Sequence, residues 1–297
     1  MFENFSLQRI ACNGITINAR VAFDLSKPPL LLLHGHPQTH LIWHKIEPTL
    51  SQHFSIVAAD LRGYGDSDKP ASDATVNHAP YSKREMARDM VQLMQSLGLK
   101  RFKVLAHDRG ARVTHRMLVD HADSVERATL LDIAPTLAMY EQTTMDFAKA
   151  YWHWFFLIQR EPLPETMISA DPEFFIAKMM GNRHAGLSAF TPEALSEYRR
   201  CMHLPGIAHA ICEDYRASAS IDLDHDRADR AAGRKVTQPL QVLWGENGII
   251  GKCFDPLGEW NRVAVSVRGS TVPCGHYIPE EAPDALLAVA LPFLLGS

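Results

Sequence analysis

Short apolar runs alternate with amphipathic segments along most of the 297-residue chain. The apolar runs are rich in Val, Ile and Leu and are bounded by polar or glycine-containing turns, which is typical of strands buried on both faces of a sheet. The predicted strands cover residues 15–23, 29–34, 54–60, 102–107, 128–133 and 240–244. Because short loops join them to helical segments, the pattern predicts an α/β fold with a mostly parallel sheet covered by helices on both faces.

The clearest helical pattern lies in residues 82–99, where apolar side chains recur at helical spacing and Gly98 stands near the end. Residues 109–121 and 282–295 are predicted to form further helices. A short strand is also predicted to end near Val272, before the helix at the carboxyl terminus.

The rhythm changes between about residues 136 and 236, where short helical segments replace the strand pattern and aromatic residues are frequent. An insertion between two strands of a parallel sheet is expected to lie over the carboxyl ends of the strands, where ligands bind in this class of fold. We therefore predict an α/β core domain at 1–135 and 237–297 and a helical cap at 136–236. A second structural domain with no role in the site is the alternative.

The composition limits the kinds of molecule that the chain is expected to bind. With 46% hydrophobic residues, 22% charged residues and a net charge of −4, the chain lacks the basic surface that nucleic acids or anionic membranes favour. No signal-peptide pattern and no apolar run of about 18 residues is present. The five cysteines are scattered and form no disulfide or metal-binding pattern. These features predict a cytoplasmic protein with no nucleic-acid or membrane partner and no metal.

The most informative segment is VLAHDRGAR at 104–112, where an apolar strand ends at Asp108 and a helix follows at once. This is the layout of a nucleophile elbow, in which a tight turn raises the nucleophile above the sheet. Asp108 stands where a serine is usual, and no serine in the chain has both glycines of a G-x-S-x-G motif. Taken alone, Asp108 is equally compatible with a cap at the start of a helix.

Two further segments favour the nucleophile. The HGHP loop at 34–37 follows an early strand, so the backbone N–H groups of His36 and Arg109 are predicted to form an oxyanion hole. His276 follows the last strand, which is where a catalytic histidine stands in this fold. Asp132 ends the strand at 128–133 and is predicted to orient His276, with Glu246 as the rival acid.

A carboxylate nucleophile indicates a particular chemistry. Asp108 is ionised at neutral pH, can displace a leaving group from an sp³ carbon, and forms an ester that His276 and water then hydrolyse. Alkyl halides and epoxides suit this sequence of steps. Arg109 and Arg112 share one face of the elbow helix, which favours a substrate that carries a carboxylate. A solvated helix face is the alternative for the two arginines.

The chain resembles the fluoroacetate dehalogenases, also called haloacetate dehalogenases, over essentially its whole length. The matching motifs are HGHPQTH at 34–40, AHDRGARVTHR at 106–116, LLDIAPT at 130–136, YWHWFF at 151–156, EDYRA at 213–217 and CGHYIPEEAPD at 274–284. The pairing of HDRGxR with YWHWF is the most specific of these, whereas the others occur in many α/β hydrolases. The resemblance implies hydrolysis of a small haloacid such as fluoroacetate, no cofactor, and a homodimer.

The same resemblance assigns site residues. It makes Asp108 the nucleophile, His276 the base with Asp132 as its partner, and Arg109 with Arg112 the ligands of the substrate carboxylate. It also places a halide pocket in the insertion, formed by His153, Trp154 and Tyr215. Those three side chains offer an imidazole N–H, an indole N–H and a phenol O–H to a departing anion. Aromatic packing is the alternative interpretation of the YWHWFF run.

One position departs from the family's pattern, because His36 stands where an apolar aromatic residue is more usual. An imidazole at the mouth of the pocket would alter either substrate access or pH dependence. An epoxide hydrolase that uses Asp108 and His276, with Tyr215 and either Tyr140 or Tyr151 as donors, is the competing enzyme class. A non-catalytic receptor that uses the capped pocket is the third hypothesis. The preferred halogen stays open at this point.

Overall fold

Eight strands form one sheet in the computed structural model, which describes residues 1–296. The strands are β1 (Ser6–Cys12), β2 (Ile15–Ala22), β3 (Pro29–Leu33), β4 (Ser55–Ala59), β5 (Phe102–His107), β6 (Val125–Leu131), β7 (Leu240–Gly245) and β8 (Val267–Val272). Their order across the sheet is β1-β2-β4-β3-β5-β6-β7-β8. The β1–β2 and β2–β4 pairs are antiparallel and the other neighbours are parallel, which confirms the predicted fold class.

The central strands divide their side chains between two apolar cores. Successive residues of a strand point to opposite faces of the sheet. Leu31 and Leu33 of β3 therefore join the core beneath α2 and α3, whereas Leu30 and Leu32 join the core on the other face. All four leucines are fully buried. A continuous apolar run is what a strand covered on both faces requires.

Helices cover both faces of the sheet. The α-helices of residues 1–296 are α1 (Glu47–Leu50), α2 (Lys83–Ser96), α3 (Asp108–Asp120), α4 (Thr136–Glu141), α5 (Met145–Ala150), α6 (Trp152–Leu157), α7 (Leu163–Ala170), α8 (Pro172–Gly181), α9 (Pro192–Met202), α10 (Ile207–Ser218), α11 (Ile221–Ala231), α12 (Ile250–Cys253), α13 (Pro256–Val263), α14 (Ile278–Glu281) and α15 (Pro283–Leu295). Short 3-10 helices lie at His40–Trp43, Ala74–Val76, Ala79–Tyr81, Ala122–Ser124 and Gly186–Ala189.

The start and end of α2 follow from its sequence. The Ser82 side chain accepts a hydrogen bond from the backbone N–H of Glu85, which caps the first turn. Met86, Met90 and Met94 occupy one buried face of the helix and pack beneath the sheet. Gly98 has a φ of +78°, a conformation that favours glycine and ends the helix. The predicted helix at 82–99 therefore exists and is slightly shorter.

The segment between β6 and β7 contains α4 to α11 and no strand among the residues that the structure describes. We call residues 136–236 the insertion. Its helix α6 carries the YWHWFF motif except for Tyr151, and α10 carries the whole EDYRA motif. None of the helices in residues 1–296 is long and apolar enough to cross a membrane.

Candidate active site

The carboxyl ends of β3, β5, β6 and β8 bring four predicted site residues to one edge of the sheet. His36 follows β3, Asp108 follows β5, Asp132 follows β6, and His276 lies between β8 and α14. Parallel strands end at the same edge, so residues far apart in the chain converge there. All four side chains are buried.

A tight turn holds Asp108 at the start of α3, as an elbow requires. Its φ of +42° lies in the left-handed region, which is unusual for a residue other than glycine. The backbone N–H of Gly110 donates to the carbonyl of His34 at 2.8 Å. A Cβ on Gly110 would lie 2.5 Å from that same carbonyl oxygen, and a Cβ on Gly35 would lie 2.5 Å from the Cβ of Asp108. Only glycine allows the two loops to approach this closely.

The imidazole of His276 lies between two carboxylates. Its Nδ1 is 2.6 Å from Oδ2 of Asp132, and its Nε2 is 4.0 Å from Oδ2 of Asp108. Asp132 is fully buried and its Oδ1 accepts a hydrogen bond from the backbone N–H of Gly245. Glu246, the rival acid, is exposed at the surface. The structure thus places Asp132 rather than Glu246 against the histidine.

The Asp108 carboxylate lies in a positive environment. Burial raises the pKa of a carboxyl group, but the charges of His276, Arg112 and Arg109 outweigh burial at Asp108. The pKa of Asp108 is therefore held below its usual value. A carboxylate in this environment stays ionised through the neutral range and below it, which a nucleophile needs.

Arg109 is fully buried and already has a carboxylate partner. Its Nε and Nη2 each lie 2.7 Å from an oxygen of Asp214, and Nη2 also donates to Ser218 at 2.6 Å. The Arg109 guanidinium lies 4.1 Å from the centre of the Tyr215 ring. Nη1 is buried without a hydrogen-bond partner among residues 1–296. Asp214 therefore occupies one face of this arginine, and one nitrogen is left for a ligand.

Arg112 has no carboxylate partner within the described chain. It donates to the carbonyl of Ala134 at 3.2 Å and to the hydroxyl of Thr136 at 2.9 Å, and its guanidinium stacks 4.7 Å from the centre of the Trp154 ring. Its Nε is buried without a partner in residues 1–296. A buried cation with unused donor capacity favours an anionic ligand.

The insertion supplies the three residues predicted to bind halide. His153 and Trp154 lie on α6 and Tyr215 on α10, and all three are buried. The Trp154 Nε1 and the Tyr215 hydroxyl have no hydrogen-bond partner anywhere in residues 1–296. The ring of Tyr215 lies 5.9 Å from that of His153 and 6.4 Å from that of Trp154. The structure therefore gathers these side chains around one small region.

The side chain of His36 belongs to the same region rather than to the surface. It is 2% exposed, which differs from the expected place at the mouth of the pocket. Its ring is nearly parallel to that of His153, with centres 6.4 Å apart, and lies 5.5 Å from the ring of Tyr215. Burial outweighs the attraction of Asp108 and lowers the pKa of His36 to about 3. The imidazole is therefore neutral at neutral pH.

Two residues that the sequence patterns did not single out belong to this site. Asp214 holds Arg109 and also contacts Lys83 and the hydroxyl of Tyr64. The guanidinium of Arg183 lies 4.6 Å from the centre of the Tyr151 ring. The EDYRA motif contained the signal for Asp214, whereas Arg183 lies in a loop after α8 and no motif marks it.

Known proteins resemble this chain over most or all of its length. A family model for the alpha/beta hydrolase fold matches residues 28–250. The chain is 41% identical to a fluoroacetate dehalogenase from Burkholderia sp over 99% of this chain and 95% of that protein. It is 32% identical to a soluble epoxide hydrolase from Corynebacterium sp. (strain C12), with 89% of each chain covered.

Among solved structures, a protein from Nostoc sp PCC 7120 superposes with a TM-score of 0.96 and is 50% identical over 100% of both chains. The chain therefore shares its fold with the Nostoc protein, and its sequence with the fluoroacetate dehalogenase, over almost its whole length. The chain belongs to the α/β-hydrolase fold family and, within it, to the fluoroacetate dehalogenase family, and it is a hydrolase.

Proposed function

We propose that this protein hydrolyses the carbon–halogen bond of small 2-haloacids, converting a haloacetate such as fluoroacetate and water into glycolate, halide and a proton. The observation that carries the proposal is the buried, ionised Asp108 carboxylate 4.0 Å from the His276 imidazole, which in turn contacts Asp132 at 2.6 Å. The 41% identity to a fluoroacetate dehalogenase supports the same substrate class.

In the first step, an Asp108 oxygen attacks the carbon that bears the halogen. The new carbon–oxygen bond forms as the carbon–halogen bond breaks, and the halide leaves with the bonding electrons. Trp154 Nε1 and the Tyr215 hydroxyl, both without protein partners in residues 1–296, donate to the departing halide, and His153 completes this pocket. Donors that meet the charge as it develops stabilise the transition state more than the ground state.

The substrate carboxylate binds to the two arginines of α3. Arg112 has no ion pair of its own within the described residues, and Arg109 retains Nη1 for the ligand while Asp214 holds its other face. Charge-assisted hydrogen bonds of this kind are short and strong. Asp214 is accordingly a positioning residue, because it fixes Arg109 without contacting the substrate.

In the second step, His276 takes a proton from water, and the hydroxide adds to the carbonyl carbon of the Asp108 ester. The backbone N–H groups of His36 and Arg109 stabilise the resulting oxyanion. His276 then returns the proton to the glycolate oxygen as the ester bond breaks. The Asp108 carboxyl that is regenerated ionises again, because its pKa lies below the usual range.

We further propose that the insertion, residues 136–236, is a cap that excludes water from this chemistry. Its helices α6 and α10 supply His153, Trp154, Tyr215 and Asp214 to a site whose other residues come from the sheet. Expulsion of water strengthens the electrostatic interactions on which both steps depend.

Halide-selective electrodes test the proposal directly. The protein is expected to release fluoride from fluoroacetate and chloride from chloroacetate, and Asp108→Asn is expected to release neither, because a neutral amide is a poor nucleophile. Circular dichroism of Asp108→Asn provides the control for folding. The absence of halide from fluoro-, chloro- and bromoacetate with the folded wild-type protein would contradict the proposal.

Epoxide hydrolysis is the second candidate, favoured by the 32% identity to an epoxide hydrolase and by the buried hydroxyls of Tyr140, Tyr151 and Tyr215, none of which has a partner in residues 1–296. Phenol donors of this kind suit an epoxide oxygen. Arg112 would then have no anionic partner, which favours the haloacid. Turnover of styrene oxide without turnover of any haloacetate would reverse this preference.

A further inference from the structure

The His36 imidazole is a polar side chain in a place where no protein group among residues 1–296 pairs with it. Its Nδ1 and Nε2 are both buried, and neither has a hydrogen-bond partner among residues 1–296. An unsatisfied buried polar group costs about 1–3 kcal/mol. A phenyl ring of similar size would fill the same space without that cost, so packing alone does not account for an imidazole here.

The place of this imidazole points to a ligand. The His36 ring lies among the rings of His153, Tyr215 and Tyr64, with centres 6.4, 5.5 and 6.1 Å away. The Tyr215 hydroxyl is one of the donors that the described chain leaves unpaired. His36 also follows Gly35, whose backbone lies against Asp108. The ring is therefore beside both the nucleophile and the halide pocket.

The charge state of His36 decides what it can do there. Burial holds the pKa of the imidazole at about 3, so the ring is neutral and offers one N–H and one lone pair. A neutral N–H donor stabilises an anion by hydrogen bonding and does not bind it as tightly as a cation would. Such a donor suits a product that must leave after each turnover.

We propose that the His36 side chain is a specificity-determining donor, whose N–H binds the departing halide together with Tyr215 and Trp154. The proposal rests on the proposed haloacid function. His36 keeps its proton throughout: the halide leaves with the electrons of the carbon–halogen bond while Asp108 forms the ester. Fluoride is the smallest halide, so its charge is the most concentrated and an added hydrogen-bond donor stabilises it most. His36 therefore raises the rate with fluorinated substrates more than with other haloacids.

Paired kinetics test this role. His36→Phe is expected to lower kcat for fluoroacetate about tenfold more than kcat for bromoacetate, which corresponds to the loss of one hydrogen bond to an anion. The KM values are expected to change little, because the carboxylate ligands remain. His36→Gln keeps an N–H donor and is expected to recover much of the fluoride selectivity.

A packing control separates chemistry from shape. Phe175 lies 6.4 Å from the His36 ring, so Phe175→Leu disturbs the surroundings of His36 and leaves its donor in place. We expect this variant to change the rates for fluoroacetate and bromoacetate by the same factor. Equal selectivity losses in His36→Phe and Phe175→Leu would overturn the proposal.

Chloride binding provides a measurement that needs no turnover. The line width of the ³⁵Cl NMR signal reports chloride bound to wild type, and His36→Phe is expected to bind chloride several-fold more weakly. Unchanged chloride affinity in His36→Phe would overturn the role of His36 even if haloacids are turned over. Conversely, a chloride effect in a protein that releases no halide would contradict the proposed function alone. His36→Ala serves the same purpose if the phenylalanine variant is insoluble.

Discussion

At the scale of single residues, Asp108 combines a strained backbone with a stabilised charge. Its φ of +42° costs free energy that the surrounding turn must supply. The charges of His276, Arg112 and Arg109 favour its ionised form despite burial. The backbone therefore fixes the direction of the Asp108 side chain, whereas the neighbouring positive groups favour its ionised form.

The low pKa of Asp108 predicts how the first step depends on pH. A carboxyl whose pKa is depressed stays ionised as pH falls, and it loses its charge only below the usual value of about 3.9. Halide release in a single turnover should therefore stay constant from about pH 7 to about pH 5. Rapid-quench measurements with chloroacetate check this. A decline of the single-turnover rate centred near pH 6 would show that another group controls the step.

At the scale of elements, one carboxylate ties the insertion to the core. Asp214 on α10 contacts Lys83 on α2 and Arg109 on α3, and all three side chains are buried. Burial would raise the pKa of Asp214, but the two cations outweigh burial and lower it. The carboxylate is thus essential to the charge balance of this junction.

Substitution Asp214→Asn tests that balance, since the amide keeps the volume and removes the charge. We expect a loss of about 3–5 kcal/mol in the free energy of unfolding, because Arg109 loses its carboxylate partner and Lys83 keeps only Asp222, at 3.5 Å. Urea denaturation measures the loss. Glu141→Gln provides the matched control, because the Glu141–Arg230 pair is exposed and solvent already screens it. Similar losses in both variants would refute the argument.

The elbow itself depends on the close approach of β3 and α3. In Gly110→Ala, the new Cβ would lie 2.5 Å from the carbonyl oxygen of His34, so the turn must shift. We expect a loss of about 1–3 kcal/mol in stability, accompanied by a fall in kcat. Gly181→Ala is the control, because its Cβ would meet only Leu187 at 3.4 Å. Thermal melting and halide assays on both variants make the comparison.

Comparison of the strands shows which elements a sequence can predict. The side chains of β3, β4 and β5 are almost all buried, and their unbroken apolar runs gave clear predictions. The strand β1 was missed because it lies at one edge of the sheet, where most residues are exposed or only partly buried and no continuous apolar run forms. At the opposite edge, β8 is also largely exposed, and only its end near Val272 was anticipated.

The site residues likewise include some that the sequence could predict and some that it could not. Asp108, Asp132 and His276 follow strand ends, so the fold class alone brought them together on the same edge. Asp214 was missed because an acidic residue on a helix usually faces solvent, and only the packing of α10 against α3 reveals its cationic partners. The buried place of His36 likewise depends on the insertion, whose helix packing no local pattern describes.

At the scale of the whole molecule, a net charge of −4 opposes the approach of the anionic substrate that we propose. The site counters this locally. Arg112 has no ion pair in the described chain, and Arg183 lies half-buried beside Tyr151. Burial is the main reason why the pKa of His153 is low, and the positive charge of Arg183 lowers it further. Two cations are therefore available to attract a carboxylate.

Substitution Arg183→Gln is expected to raise KM for chloroacetate about fivefold, as the loss of about 1 kcal/mol of Coulomb attraction implies. The effect of added salt on kcat/KM should become weaker in this variant, because salt screens the attraction that Arg183 supplies. Arg160→Gln removes the same charge from an exposed position of the insertion and serves as the control. A larger effect in the control would exclude local attraction by Arg183.

The contacts of Asp214 also limit which substitutions this sequence can accept during evolution. Loss of Asp214 alone leaves the buried Arg109 without a carboxylate, and loss of Lys83 or Arg109 alone removes one of the two cations of Asp214, whereas joint replacement by apolar residues removes the buried charges together. Selection should therefore accept changes at these positions together more readily than one at a time. Among descendants of this chain, positions 83, 109 and 214 are expected to covary, and the proposed contact of Arg109 with the substrate would constrain position 109 further.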